Sequence, residues 1–105
     1  AKAMGAALFA EKISAEQADE WGLIWESVAD DAFEATWRAR AEYLAKGPTL
    51  AYSHLKTALR ASSENNLEAQ LALEAKLQKE CGNSRDFKEG VVAFLEKRTA
   101  RFEGR

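Results

Sequence analysis

Apolar residues recur at spacings of three and four along most of this chain and nowhere alternate for long. That period belongs to helices with one buried face, so the pattern predicts an all-α, mainly helical chain. "AKAMGAALF" sets Ala1, Met4 and Leu8 on one face. "SAEQADEWG" predicts a helix marked at both ends, with Ser14 as its N-cap, Gln17 at the reciprocal capping position and Gly22 to end it in the left-handed conformation. "LIWESV", residues 23–28, is short, apolar and partly β-branched or aromatic, and is the one strand-like segment expected. A helix over residues 31–46 carries Phe33, Trp37 and Leu44 along one side and stops at Gly47–Pro48. Pro48 suits the first turn of the next helix, where its missing N–H costs nothing; the stripe there is Ala51, Leu55, Ala58 and Leu59. After the polar "SSENN", Asn66 caps a helix that runs to Cys81 and that Gly82 terminates. Ser84 caps the last helix, with Phe87, Val91 and Phe94 at spacings of four and three.

Two of these helices depart from a simple amphipathic pattern. In the fifth, Leu67, Leu71, Leu73 and Leu77 flank a face that also holds Gln70, Glu74, Gln78 and Cys81. So wide an apolar arc exceeds what one neighbouring helix covers; the helix lies between two partners or is completed by another chain. Glu74 then either sits at a wet helix edge or is buried with a hydrogen-bonding or cationic partner, because a lone buried carboxylate is costly. In the sixth, Gly90 in mid-helix gives up about 1 kcal/mol of propensity relative to Ala, so a close helix contact is expected against it.

Composition narrows the field. The 105 residues suffice for one small domain, and 47% apolar with 30% charged is an ordinary water-facing balance. A net charge of −2 argues against a nucleic-acid partner held by charge alone. No apolar run approaches the roughly 20 residues of a membrane span, and no leader peptide is visible, so no membrane partner is expected. A single cysteine, Cys81, cannot form an internal disulfide; a reducing, cytoplasmic setting is the simple expectation. The chain opens on Ala with helical pattern from the start, which suggests a processed or truncated protein.

Candidate chemistry is sparse. His54, the one histidine, has no second His four residues away, and no Cys pair exists, so no metal site is expected. Cys81 near a helix C-terminus lacks the positive helix end that would activate it and reads as a buried, inert thiol. Asp30 and Asp31 are paired carboxylates at a helix start, where the dipole and the free N–H groups account for them. Trp21, Trp25 and Trp37 lack interleaved basic residues and read as core or interface aromatics rather than a stacking platform. On its own residues the chain carries no catalytic constellation.

Order and spacing of short motifs supply more. Ser14, Ala15, Ala18, Gly22 and Leu23 come first, then Gly47, Pro48, Lys56, Ala58 and Leu59, then Glu74. The chain ends with Ser84, Asp86, Glu89, Gly90, Ala93, Phe94, Glu96, Lys97, Arg98, Phe102 and Gly104. In that order over the entire chain they resemble the C-terminal region of the crotonase superfamily, the enoyl-CoA hydratases and isomerases. "WGLIW" and "LQKECGNSRDFKEGV" are most similar to the members that isomerise ring-epoxide phenylacetyl-CoA in phenylacetate degradation. Thr99 and Ala100 depart from the pattern, where a proline is frequent.

The resemblance implies a fragment of a larger enzyme: residues 1–105 as a single helical trimerisation region of a crotonase fold, without the ββα-spiral core. It implies acyl-CoA thioester substrates, a homo-oligomeric parent (trimer or hexamer) and no cofactor beyond the CoA thioester itself. In the family, two backbone N–H groups polarise the thioester and carboxylates move protons or activate water. Those parts lie in the core, so no catalytic residue is assigned here. Lys97 matches the "EKR" lysine that approaches the 3′-phosphate or adenine end of CoA. An equally simple account is that Lys97 and Arg98 complement the negative end of a helix. Gln78 falls near a place where relatives set an aromatic against adenine, a stacking role glutamine cannot fill. The alternative to a CoA-closing, oligomerising region is a self-standing helical interaction module without activity.

Overall fold

The computed structural model describes all 105 residues and contains six helices and no strand: α1 (Lys2–Phe9), α2 (Ala15–Glu20), α3 (Asp30–Ala45), α4 (Thr49–Ala61), α5 (Leu67–Gly82) and α6 (Arg85–Leu95). They belong to two compact units, Ala1–Arg38 and Ala39–Arg105, and α3 contributes residues to both.

In the first unit, the Ser14 hydroxyl accepts from the Gln17 N–H at 3.2 Å and starts α2. Gly22, at φ 73°, ends it. The Gly22 N–H reaches the Asp19 carbonyl and the Leu23 N–H the Ala18 carbonyl, each at 2.8 Å, closing the paired bonds of a Schellman turn. The strand expected at 23–28 does not form. An isolated segment has no neighbour to complete a ladder, and its backbone is held otherwise: the Ser27 N–H donates to the Asp19 carboxylate at 2.8 Å. Trp21 is half-buried with the Lys2 ammonium 5.4 Å from its ring centre, whereas Trp25 is 82% exposed. Trp37 donates from Nε1 to Glu34 at 2.9 Å and has the Arg38 guanidinium 4.9 Å from its ring centre. Asp30 and Asp31 occupy the first turn of α3, as the dipole favours.

In the second unit, α4 packs against α5, and α5 against α6. Pro48 sits at the N-cap of α4, one position before the first turn that the sequence suggested, with φ at −74°. Asn66 caps α5 through its side-chain oxygen, which accepts from the Ala69 N–H at 2.9 Å. Gly82 is the last residue of α5 and not its terminator; Asn83 caps the end in right-handed conformation. Ser84 then caps α6, accepting from the Phe87 N–H at 3.0 Å while its hydroxyl donates to the Cys81 carbonyl at 2.6 Å. One serine thereby closes one helix and opens the next.

The stripe predicted for α6 is not a buried stripe in this chain. Phe87, Val91 and Phe94 are exposed, Phe94 by 82%; the buried residues of α6 are Ala93 and Asp86. Leu55 and Leu59 of α4 and Leu67 and Leu71 of α5 are likewise exposed. Apolar side chains at helical spacing are thus arrayed on several helices without a core beneath them, the surface expected of a segment completed by other protein.

Candidate functional site

The most heavily bonded part of the second unit is the C-terminal end of α6 and the tail that follows. Glu96 caps the helix, and Lys97 takes a left-handed backbone at φ 54°. The Lys97 N–H reaches the Phe94 carbonyl at 3.3 Å and the Arg98 N–H reaches the Ala93 carbonyl at 3.0 Å. This is a Schellman turn in which lysine occupies the position that usually falls to glycine. A side chain there meets the steric penalty of the left-handed region, on the order of 1 kcal/mol. The Lys97 side chain is exposed and makes no ion pair.

Arg98, the next residue, is fully engaged. Its guanidinium grips Glu89 through both terminal nitrogens, at 2.6 and 3.0 Å, and donates from Nε to Glu96 at 2.6 Å. Glu89 also accepts the Arg101 N–H at 2.8 Å. The bidentate Arg98 fork, followed by the Arg101 amide, holds the Glu89 carboxyl down at a pKa of about 2, and Glu89 with Glu96 pushes Arg98 up.

One turn before Glu89, Asp86 performs the second half of this anchoring. It is 4% exposed and accepts the Glu103 N–H at 2.7 Å and the Gly104 N–H at 2.9 Å, one on each carboxylate oxygen. Its own N–H donates to the Arg105 carbonyl at 3.0 Å. Gly104 stands at φ 76°, and a Cβ there would lie 2.5 Å from the Thr49 hydroxyl. The tail therefore passes back along α6, with two carboxylates three residues apart holding three of its amides. Gly90 belongs to the same arrangement. The neighbour at its open face is the Phe102 ring of the tail, 3.7 Å from where a Cβ would sit, and not the close helix contact the sequence suggested. A pocket of about 580 Å³ opens at this junction, lined by Glu89, Arg98, Thr99, Arg101 and Glu103.

The other residues singled out from sequence gather elsewhere, in a groove of about 430 Å³ between α4 and α5 lined by His54, Leu55, Leu59, Glu74, Gln78 and Cys81 among others. Glu74 is at a wet edge: it is exposed and accepts from Gln70 Nε2 at 2.8 Å. Gln70 also donates to the Ala58 carbonyl at 3.2 Å, tying α5 to α4. His54 approaches Glu80 at 3.1 Å. Cys81, expected buried, is half-buried along the groove, because Leu55 and Leu59 opposite it stay open to solvent. No three His, Cys, Asp or Glu side chains converge as metal ligands would, and no helix is long and apolar enough to cross a membrane. The sequence reading singled out Lys97 but gave no role to the carboxylates that shape its surroundings. Their signal was present: acids at i and i+3 in the first turns of α6, followed by an arginine-bearing tail.

Comparison with known proteins bears on this arrangement as a whole. Residues 1–105 match the enoyl-CoA hydratase/isomerase family. A protein from Rhodobacter capsulatus described as a probable enoyl-CoA hydratase is 61% identical over the whole chain, and the 1,2-epoxyphenylacetyl-CoA isomerase of Escherichia coli is 44% identical over the same length. The chain spans 41% and 40% of these two relatives, respectively. A crystal structure from Mycobacterium abscessus, described as a putative enoyl-CoA hydratase/isomerase, superposes with a TM-score of 0.90 at 36% identity, covering 100% of this chain and 41% of that one.

Proposed function

The chain belongs to the enoyl-CoA hydratase/isomerase family, and on that premise we propose that it is the helical segment through which such an enzyme oligomerises and closes its CoA site over an acyl-CoA thioester. The observation that carries the CoA part is Lys97: a free, exposed ammonium on a strained left-handed turn, beside an arginine already committed to carboxylates. The helix-end account explains a cation near the last turn of α6, but glycine would serve the turn better than lysine. A charged side chain kept where the backbone disfavours it supports a role for the charge. The oligomerising part is supported by the exposed apolar residues of α6, Phe87, Val91, Phe94 and Leu95.

Likeness to the probable hydratase supports addition of water to an enoyl-CoA, and "WGLIW" with likeness to the epoxide isomerase supports a ring-epoxide aryl-CoA substrate. Either chemistry uses the thioester itself and calls for no further cofactor. The bond-making groups are assigned to parts of the enzyme outside these residues.

Lys97→Ala in the full-length enzyme tests the CoA contact. An exposed ion pair is worth about 0.2–1 kcal/mol, so KM should rise about 1.4- to fivefold with kcat nearly unchanged. The rise should vanish with a substrate lacking the CoA 3′-phosphate. Equal losses with and without that phosphate would reduce Lys97 to a helix-end residue.

A further inference from the structure

We propose that Glu89 is a positioning residue for the Lys97 ammonium: its grip on Arg98 and on the Arg101 amide fixes the left-handed turn from which Lys97 projects. This rests on the reading of Lys97 as a CoA-phosphate contact. The geometry brings three observations to one place. Lys97 holds a backbone conformation that a lysine leaves readily when nothing restrains it, at φ 54°. The residue after it, Arg98, is clamped at 2.6 and 3.0 Å to a carboxylate nine positions back along a rigid helix. The same carboxylate takes the Arg101 N–H at 2.8 Å, so it holds the side chain one residue beyond Lys97 and the backbone four residues beyond it.

Within the helix, the Ala93 and Phe94 carbonyls secure the turn from the other side. Residue 97 is thus bracketed by two fixed ends, and its φ follows from closing the chain between them. Asp86 holds the more distant amides of Glu103 and Gly104 and anchors the tail without reaching the turn itself. Glu89 is therefore the side chain whose loss acts on Lys97 most directly. Both oxygens are in use, and a neutral amide at this position would keep at most one acceptor for the fork.

The sign of the effect separates positioning from simple electrostatics. Glu89 is an anion, and deleting it leaves Arg98 less neutralised. By charge alone, Glu89→Gln should tighten a nearby phosphate and lower KM. If Glu89 positions Lys97, KM rises instead.

The experiment is a double-mutant cycle in the full-length enzyme, with a CoA thioester and its 3′-dephospho counterpart as substrates. Glu89→Gln is expected to raise KM about 1.4- to fivefold for the phosphorylated substrate only, the range of the contact it supports, with kcat preserved. In a Lys97→Ala background it should add nothing. Arg98→Lys keeps the charge, loses the fork and should show the same phosphate-dependent rise, which guards against a Glu89 variant that fails to fold. A lowered KM, a rise equal for both substrates, or additivity with a Lys97→Ala variant that is itself impaired would overturn the positioning role alone. A Lys97→Ala variant with no phosphate-dependent loss would overturn the underlying reading and this proposal together.

Discussion

Replacing Asp86 with alanine removes the acceptor of two tail amides at once. The carboxylate is 4% exposed, and its bonds to the Glu103 and Gly104 N–H groups are 2.7 and 2.9 Å long. A hydrogen bond to a charged group contributes about 1.5–3 kcal/mol. The two are not additive, because Glu103 is exposed and its freed N–H can turn to water. The expected cost is therefore about 2–4 kcal/mol, roughly one bond in full and part of the other. Since these bonds join the tail to α6 and do not join α4, α5 and α6 to one another, the loss should appear as local opening and not as global unfolding. At 1.36 kcal/mol per factor of ten, the opening constant rises about 30- to 900-fold. Hydrogen–deuterium exchange on the protein measures it directly. Amides 103 and 104 should lose protection by that factor, those of α4 and α5 should hold, and the Arg101 amide on Glu89 should change less. Asp86→Asn keeps one acceptor and turns an NH₂ toward the other amide, so it should fall between wild type and alanine. Unchanged exchange at 103 and 104, or a loss spread evenly through the segment, would refute the assignment of tail anchoring to Asp86.

Two further outcomes follow from the same region. Gly90→Ala should stabilise α6 by about 0.5–1 kcal/mol in chemical denaturation, because the added methyl group meets Phe102 at an ordinary 3.7 Å and recovers helix propensity. Acid should release the tail: Glu89 is lowered from 4.5 to about 2 in the folded chain, so its contribution is present above pH 4.5 and is lost as pH falls towards 2, leaving neutral pH unaffected. Amide exchange or chemical shift at Arg101 followed through that window reports it, and a midpoint at the ordinary carboxylate value would contradict the Arg98 fork.

Local features of this protein were legible in its sequence. Ser14, Asn66 and Ser84 cap the helices expected of them, and Gly22 closes α2 at positive φ, because a cap needs only a short polar side chain or a glycine within a few residues of the helix end. The family was legible too, in motifs spread over all 105 residues. The strand at 23–28 was misjudged since a strand is a property of two segments, and the sequence of one cannot supply the other. The stripe of α6 was read correctly as apolar but not as exposed, because periodicity identifies a face and not what covers it. The left-handed turn at Lys97 was beyond sequence reasoning altogether. Lysine is a poor residue for that turn, and propensity alone argues against it. The turn's own bonds are local, to the Phe94 and Ala93 carbonyls; what only the tertiary structure shows is the return of the tail, held by Asp86 and Glu89 across 17 and 12 residues of chain. A carboxylate of α6 meets an amide 12 or 17 residues further on only through the path of the folded chain, which no local window of sequence contains.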